Sequence, residues 1–272
     1  MTIMKTGQEK ADPPFRPGSV HHLKSLEKGL ALLESFGQDA QAMTLTELAQ
    51  RCGFHISTVQ RLTATLCRLG YLKKDQSKRY HLGLKVIKLG FRVTQTLALR
   101  TFLLPYLRDL FEEIDQTVNL FLLEGDEVVI VERLEKRRIL QYNLQTGSGL
   151  PLYCTASGKA ILSHMDSEWV ERFLDRVELR AFTPHTLTTR DALFNELDIT
   201  RERGFAVNVQ ELALGACAAG VAFFDREGIP CGAISAATPA QHFTMEIVRN
   251  RFINPLKRTA EVASQFLGRQ EA

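Results

Sequence analysis

Apolar positions between Ser25 and Phe36 recur at helical spacing. Leu26, Leu30, Leu33 and Phe36, with Ala31 and Leu32 beside them, predict a first helix that Gly37 ends. Thr44 is placed to cap a second helix, and Glu47 three residues on completes a capping box. Leu45, Leu48 and Ala49 form its apolar face, and Gly53 stops it at a tight turn. A third helix starts near Ile56 or Ser57 and turns Val59, Leu62, Leu66 and Leu69 toward a core. Ser57, Thr58, Gln60, Arg61, Thr65 and Arg68 fall mostly on its other faces, and Gly70 closes it. Tyr71 to Leu82 then reads as two short, partly apolar segments around a polar, basic turn, which is a hairpin with a charged tip. Helix, turn, polar-surfaced helix and basic hairpin, in that order, predict a winged helix-turn-helix.

The helical pattern from Leu84 to about Leu99 reads as a linker helix. Pro105 allows a break or a fresh helix start before a helix over Tyr106 to Ile114. From Thr117 the period changes to that of strands. Thr117 to Leu123 and Val128 to Leu134 flank a turn at Glu124-Gly125-Asp126-Glu127. A further strand is expected over Ile139 to Leu144, and Gly147, Gly149 and Pro151 mark a loop before a helix at Gly158 to Ile161. Helices over Ser167–Leu174 and Arg190–Arg203 precede strands over Phe205–Gln210, Ala216–Phe224 and Ile229–Ala237. An amphipathic helix from about Thr244 to Leu267 ends the pattern. The body is therefore α+β, with an antiparallel sheet and helices around it. The expected domains are a polar arm over 1–20, a winged helix-turn-helix over 21–83, a linker helix over 84–100 and an α+β domain over 101–272.

The 272 residues carry a formal charge of +3, unevenly spread. Residues 1–95 hold 15 Lys/Arg against 7 Asp/Glu, and the remainder is mildly acidic. A basic head on an acidic body suits nucleic-acid binding, though many enzymes also have a basic lobe. Five cysteines, none in a CxxC pair, predict free thiols in a reducing cytoplasm. No apolar run is long enough for a membrane span, and no leader pattern opens the chain. Double-stranded DNA is thus the expected macromolecular partner, and no membrane is. Arg61 and Gln60 suit guanine and adenine edges in a major groove. Thr46, Ser57, Thr58, Arg68 and the wing residues Lys73, Lys74, Lys78 and Arg79 suit phosphate. Taken singly, each of these is as well explained by a solvated surface.

Cys154 with Thr155 and Lys159 could form a nucleophilic site, but no His lies nearby in sequence, so no catalytic role is expected. The seven histidines are scattered, and neither a metal nor a cofactor is expected. A structural protein dimerising through the linker helix is the third class.

Ser25-Leu26-Glu27-Lys28-Gly29-Leu30, Leu45-Thr46-Glu47-Leu48-Ala49, Ser57-Thr58-Val59-Gln60-Arg61-Leu62 and the central Pro151 to Ala160 motif closely resemble the IclR family of bacterial transcriptional regulators. Gly204-Phe205 with Glu211, Gly215 and the strands to Pro239 resembles that family's C-terminal region. The resemblance implies a GAF-like effector-binding domain and homodimers, often paired into tetramers, on operator DNA. It also implies control by a small organic acid, aromatic compound or other carbon-source metabolite. Both repressors and activators occur in the family, and repression is the favoured sign. Carried over position by position, the effector site falls on Ala156, Ser157, Asn208, Ala216, Ala218, Ser235 and Ala237, with Cys217 next to it on a strand whose alternation could turn it away. Several of these positions are polar in anion-binding members and apolar here. A larger or more apolar ligand is one expectation. A small carboxylate held by backbone amides near Ala156 to Gly158 is the other.

Overall fold

The computed structural model describes residues 23–37, 40–96, 98–135 and 144–268, with the backbone alone described for 91–96. The expected arm, and all of the expected strand at Ile139–Leu144 except Leu144 itself, lie outside the described residues. The chain divides into two compact units, 1–89 and 90–272, with the boundary inside a helix.

The first unit contains α1 (Lys24–Glu34), α2 (Leu45–Cys52), α3 (Ile56–Leu69), β1 (Leu72–Lys74), β2 (Tyr80–Leu82) and the start of α4 (Leu84–Thr96). Thr44 and Glu47 form the capping box: the Glu47 amide donates to the Thr44 hydroxyl, and the Thr44 amide donates to Glu47 Oε2 at 2.7 Å. Gly53 and Gly70 end α2 and α3 with φ of +66° and +81°, a conformation that costs a residue with a Cβ. The core is Leu32, Met43, Leu48, Val59, Leu66, Leu72 and Tyr80. Two expectations shift here. On α3, Thr63 is fully buried and bonds the Gln60 carbonyl, while Leu69 is 45% exposed. On α1, Leu26 and Leu30 are exposed, and Gly29 and Leu32 are buried instead. The remaining apolar stripes line a groove of about 780 Å³ between α1, α3 and the start of α4.

The second unit holds α5 (Ala98–Ile114), β3 (Thr117–Glu124), β4 (Glu127–Leu134), β5 (Gly149–Pro151), α6 (Ala156–Leu162), α7 (Ser167–Arg176), α8 (Arg190–Arg203), β6 (Ala206–Val209), β7 (Ala216–Phe224) and β8 (Pro230–Pro239). A C-terminal rod follows, made of α9 (Met245–Ile247), a π-turn over Val248–Phe252 and α10 (Ile253–Phe266). Six antiparallel strands run β5-β4-β3-β8-β7-β6. One core joins one face of the sheet to α5 and α10, and a second joins it to α6, α7 and α8. The central strands are therefore buried on both sides, which explains their nearly continuous apolar runs.

Pro105 does not break α5, and no helix starts at it. It leaves the Thr101 carbonyl without its helical donor, a cost of roughly 3 kcal/mol. Leu99, Leu103, Leu107, Leu110 and Ile114 are all buried from the same helix, at roughly 1.5–3 kcal/mol each, so burial wins. Gly149–Pro151, expected as loop, pairs with β4 as the sheet's edge strand, where a proline is tolerated.

Replacing Thr44 with Ala should destabilise α2 by about 1 kcal/mol. In full-length protein this should read as roughly fivefold faster amide exchange across α2 with α6 unchanged. Equal exchange in both proteins would show that the cap adds nothing.

Candidate functional site

The face of α3 opposite Val59 follows from a turn of about 100° per residue. Ser57, Arg61, Ala64 and Arg68 fall close to one line there, and Gln60 lies off to one flank. Ser57, Gln60, Arg61, Ala64 and Arg68 are all exposed. Ala64, not singled out from sequence, gives this face a low centre between two arginines. Thr58 is half-buried, and together with Arg61 and Thr65 it borders the α1–α3–α4 groove. Ser57 sits at the start of α3, where its hydroxyl lies 2.8 Å from Nδ1 of His55, the capping residue.

Thr46 is exposed on α2. In the hairpin, Lys73 pairs with His81 and Lys74 with Tyr80, and Lys73, Lys74 and Lys78 are exposed. Lys74 Nζ stands 5.2 Å from the Tyr80 ring centroid. Arg79 differs from its neighbours: its guanidinium donates to the Ala42 carbonyl at 2.8 Å and to Glu47 at 3.2 Å, tying the hairpin to α2. The turn is held by Asp75, which accepts from the Arg79 amide and meets His81 Nε2 at 2.7 Å. The His81 hydrogen bond, then that from the Arg79 amide, hold the Asp75 carboxyl below its ordinary range.

In the second unit one cavity of about 70 Å³ gathers all seven positions carried over from the resemblance, and Cys217 with them. Ala156 and Ser157 come from the start of α6, Asn208 from β6, Ala216, Cys217 and Ala218 from β7, and Ser235 and Ala237 from β8. The register explains the grouping, since Ala237, Ala218 and Asn208 form one cross-strand row. Cys217 is part of the wall despite strand alternation. Gly220 lets α6 settle on the sheet: a Cβ there would lie 3.0 Å from the Ala156 backbone.

The amides at the α6 start are not all open to a ligand. The Gly158 amide donates to the capping hydroxyl of Thr155 at 3.0 Å. Asn208 is engaged too: its amide nitrogen donates to the Cys154 carbonyl, and its oxygen accepts from the Glu211 amide. Behind it Lys159 Nζ, 1% exposed, meets Glu211 at 2.6 Å and Glu196 at 3.4 Å. Burial raises the Glu211 carboxyl, opposed by Lys159. Burial, then the Glu211 charge, push the Cys154 thiol up to about 12, so it is not a thiolate nucleophile.

The walls also hold residues that the sequence did not single out. Phe121, Leu144, Leu150, Leu212 and Ala213 are apolar, whereas Asn119 and Arg133 are polar. Arg133 Nη1 donates to Asn119 Oδ1 at 2.7 Å, and Asn119 Nδ2 donates to Ser235 Oγ at 3.4 Å. These three form a second row, Arg133–Asn119–Ser235, across β4, β3 and β8. Asn119 left a signal as an amide amid the apolar residues of a buried strand. Arg133 left none, because a bulge turns it inward. The register passes from Leu120 opposite Glu132 to Phe121 opposite Ile130, which leaves Val131 unpaired and reverses the faces beyond it. Among the described residues no cluster of His, Cys, Asp and Glu could hold a metal, and no helix is long and apolar enough to cross a membrane.

Residues 25–76 match the family model for the IclR helix-turn-helix domain, and residues 91–265 match that for the bacterial transcriptional regulator IclR C-terminal region. The transcriptional repressor IclR of Escherichia coli is 30% identical over 249 residues, covering 90% of this chain and 91% of its own. The Pca regulon regulatory protein of Pseudomonas putida is 29% identical over 237 residues, covering 87% of this chain and 81% of its own. The crystal structure of an IclR homolog complexed with 4-hydroxybenzoate, from Microbacterium hydrocarbonoxydans, superposes with a TM-score of 0.72. It has 25% identity and covers 89% of this chain and 98% of that one.

Replacing Lys159 alone with Met leaves Glu211 buried without its cation and should cost about 3–5 kcal/mol. Replacing the pair together, Lys159→Met with Glu211→Leu, should recover most of that loss in urea unfolding. If the single variant is as stable as the parent, the pair does not hold this wall.

Proposed function

The chain belongs to the IclR family of bacterial transcriptional regulators, and on that premise we propose that it binds operator DNA in a sequence-specific way under the control of a small effector. The observation that carries the proposal is the exposed face of α3, where Ser57, Arg61 and Arg68 align around Ala64 beside a hairpin bearing Lys73, Lys74 and Lys78. A helix with that face fits the major groove, with Arg61 and Gln60 at base edges and Thr46, Ser57, Thr58, Arg68 and the hairpin lysines at phosphates. Arg79 serves this surface by bracing the hairpin.

The second unit acts as a GAF-like effector domain, and the cavity takes the effector. A cavity of about 70 Å³ with mostly apolar walls favours a short organic acid over an aromatic one. An aromatic acid such as the one bound by the Microbacterium homolog requires the walls at Leu144 and Leu212 to move. The role is regulatory and not catalytic, in keeping with the protonated Cys154. Repression is the favoured sign, supported by the 30% identity to the E. coli repressor. Two copies act together. Leu26, Leu30, Leu84, Ile87 and Leu89 stay exposed on α1 and α4, and an apolar surface of that extent suits a second subunit.

The test is selection of bound fragments from a genomic DNA library at near-physiological salt, with and without cell metabolite extract. Enrichment of a palindrome or repeat is expected. Arg61→Ala should then cost roughly 1–3 kcal/mol on the enriched site and much less on random DNA. Equal weakening on both would remove Arg61 from base reading, and no enrichment under either condition would end the operator reading.

A further inference from the structure

We infer that Arg133 selects the ligand of the cavity by reading a carboxylate through the side-on edge of its guanidinium, in competition with Glu135. The inference deepens the reading of the cavity as the effector site and rests on it.

A guanidinium presents its donors in a rigid fork, and the edge formed by Nε and Nη2 matches the two oxygens of a carboxylate. In Arg133 the other end is committed, with Nη1 on Asn119 at 2.7 Å. The side-on edge has an unused donor: Nη2 reaches Glu135 Oε1 at 3.1 Å, while Nε is buried without a hydrogen-bond partner. A buried donor left in that condition is unfavourable. A carboxylate in the cavity that bridges Nε and Nη2 satisfies the free donor, and at Nη2 it meets the negative charge of Glu135, which opposes it.

The two partners differ in how firmly they are held. The Arg133 side chain is 6% exposed and the Glu135 side chain 34%, so the carboxylate can swing to solvent while the guanidinium stays. The neighbouring acid does not compete. Glu132 accepts the Arg133 backbone amide and pairs with Arg100 of α5 at 2.5 Å. Ser235, at the end of the row, accepts from Asn119 and keeps its own hydroxyl proton for a ligand oxygen. The apolar walls leave the rest of the ligand little to bond with. The site therefore takes a monocarboxylate with a short apolar body, and rejects its neutral amide.

The measurement is thermal unfolding of full-length protein titrated with propionate, butyrate and benzoate, each against its amide. Wild type is compared with Arg133→Gln, Arg133→Lys, Glu135→Gln and the cavity-filling Ala218→Leu. At least one acid should raise the Tm of wild type while its amide does not. Glu135→Gln should tighten that acid about threefold or more, and Arg133→Gln should weaken it by about tenfold or more. Arg133→Lys, which keeps the charge and loses the fork, should fall between, and Ala218→Leu should abolish the shift. If Arg133→Gln does not fold, the sign of the change in the part-exposed Glu135→Gln decides. The inference is overturned if no acid shifts either wild type or Glu135→Gln, if amides bind as well as acids, if Arg133→Gln binds as tightly as wild type, or if Glu135→Gln fails to tighten binding. The same acids are then added to the selected DNA fragment. An acid that binds through Arg133 without changing DNA binding removes the effector role and keeps this assignment. A compound that changes DNA binding and ignores Arg133 does the reverse.

Discussion

A lysine ammonium that is 1% exposed exists in a folded protein only against a compensating charge, and Lys159 has one in Glu211 at 2.6 Å. That requirement organises the wall of the cavity. Lys159 belongs to α6, and Glu211 belongs to the loop between β6 and β7. The ion pair therefore joins the helix at one side of the cavity to the loop at another. The hydrogen bonds of Asn208 to Cys154 and Glu211 close the same link one step nearer the cavity. Thr183 and Thr186 bond the carbonyls of Gln210 and Glu211 from outside, so the loop is gripped on both sides. Walls fixed in this way let a volume of only about 70 Å³ persist between a helix and a sheet.

The legible parts of the fold were those where one local rule dominates. Capping at Thr44, the glycine stops at Gly53 and Gly70, and the hairpin turn at Gly125 each depend on a few adjacent residues, and each stands where the pattern put it. The helix through Pro105 was not legible, because its continuity comes from leucines buried against the sheet and not from the proline's own preference. The stripes of α1 and α3 were read as apolar correctly, but which stripe faces the core depends on partners that periodicity does not name. Leu69 and Leu30 are as periodic as Leu66 and Leu32 and yet lie outside.

The cavity shows the same division. Positions carried over from the family motif converge, since a motif records residues that strands and helices bring together. Arg133 could not be found that way. Strict alternation from Val128 and Ile130 puts Glu132 on the cavity side and Arg133 on the side of α5. The unpaired Val131 exchanges them, so the arginine lines the cavity and the glutamate meets Arg100. One residue of register thus decides whether this cavity carries a cation or an anion.

That exchange also bears on how the apolar lining is understood. Alanines at 156, 216, 218 and 237 remove side-chain donors from the wall, which taken alone argues for a neutral ligand. A cation held at the rim of such a wall has the opposite effect. Beside apolar walls, its field on an anion in the cavity would be screened less than in a fully polar site. The small residues and the arginine are then parts of one arrangement, in which recognition is concentrated at a single edge of the ligand and the remaining wall supplies shape. In the site as proposed, the preference for an acid over its amide would depend on how easily the carboxylate of Glu135 gives way. The end of β4, where Glu135 stands, is accordingly the place where binding energy and strand geometry meet.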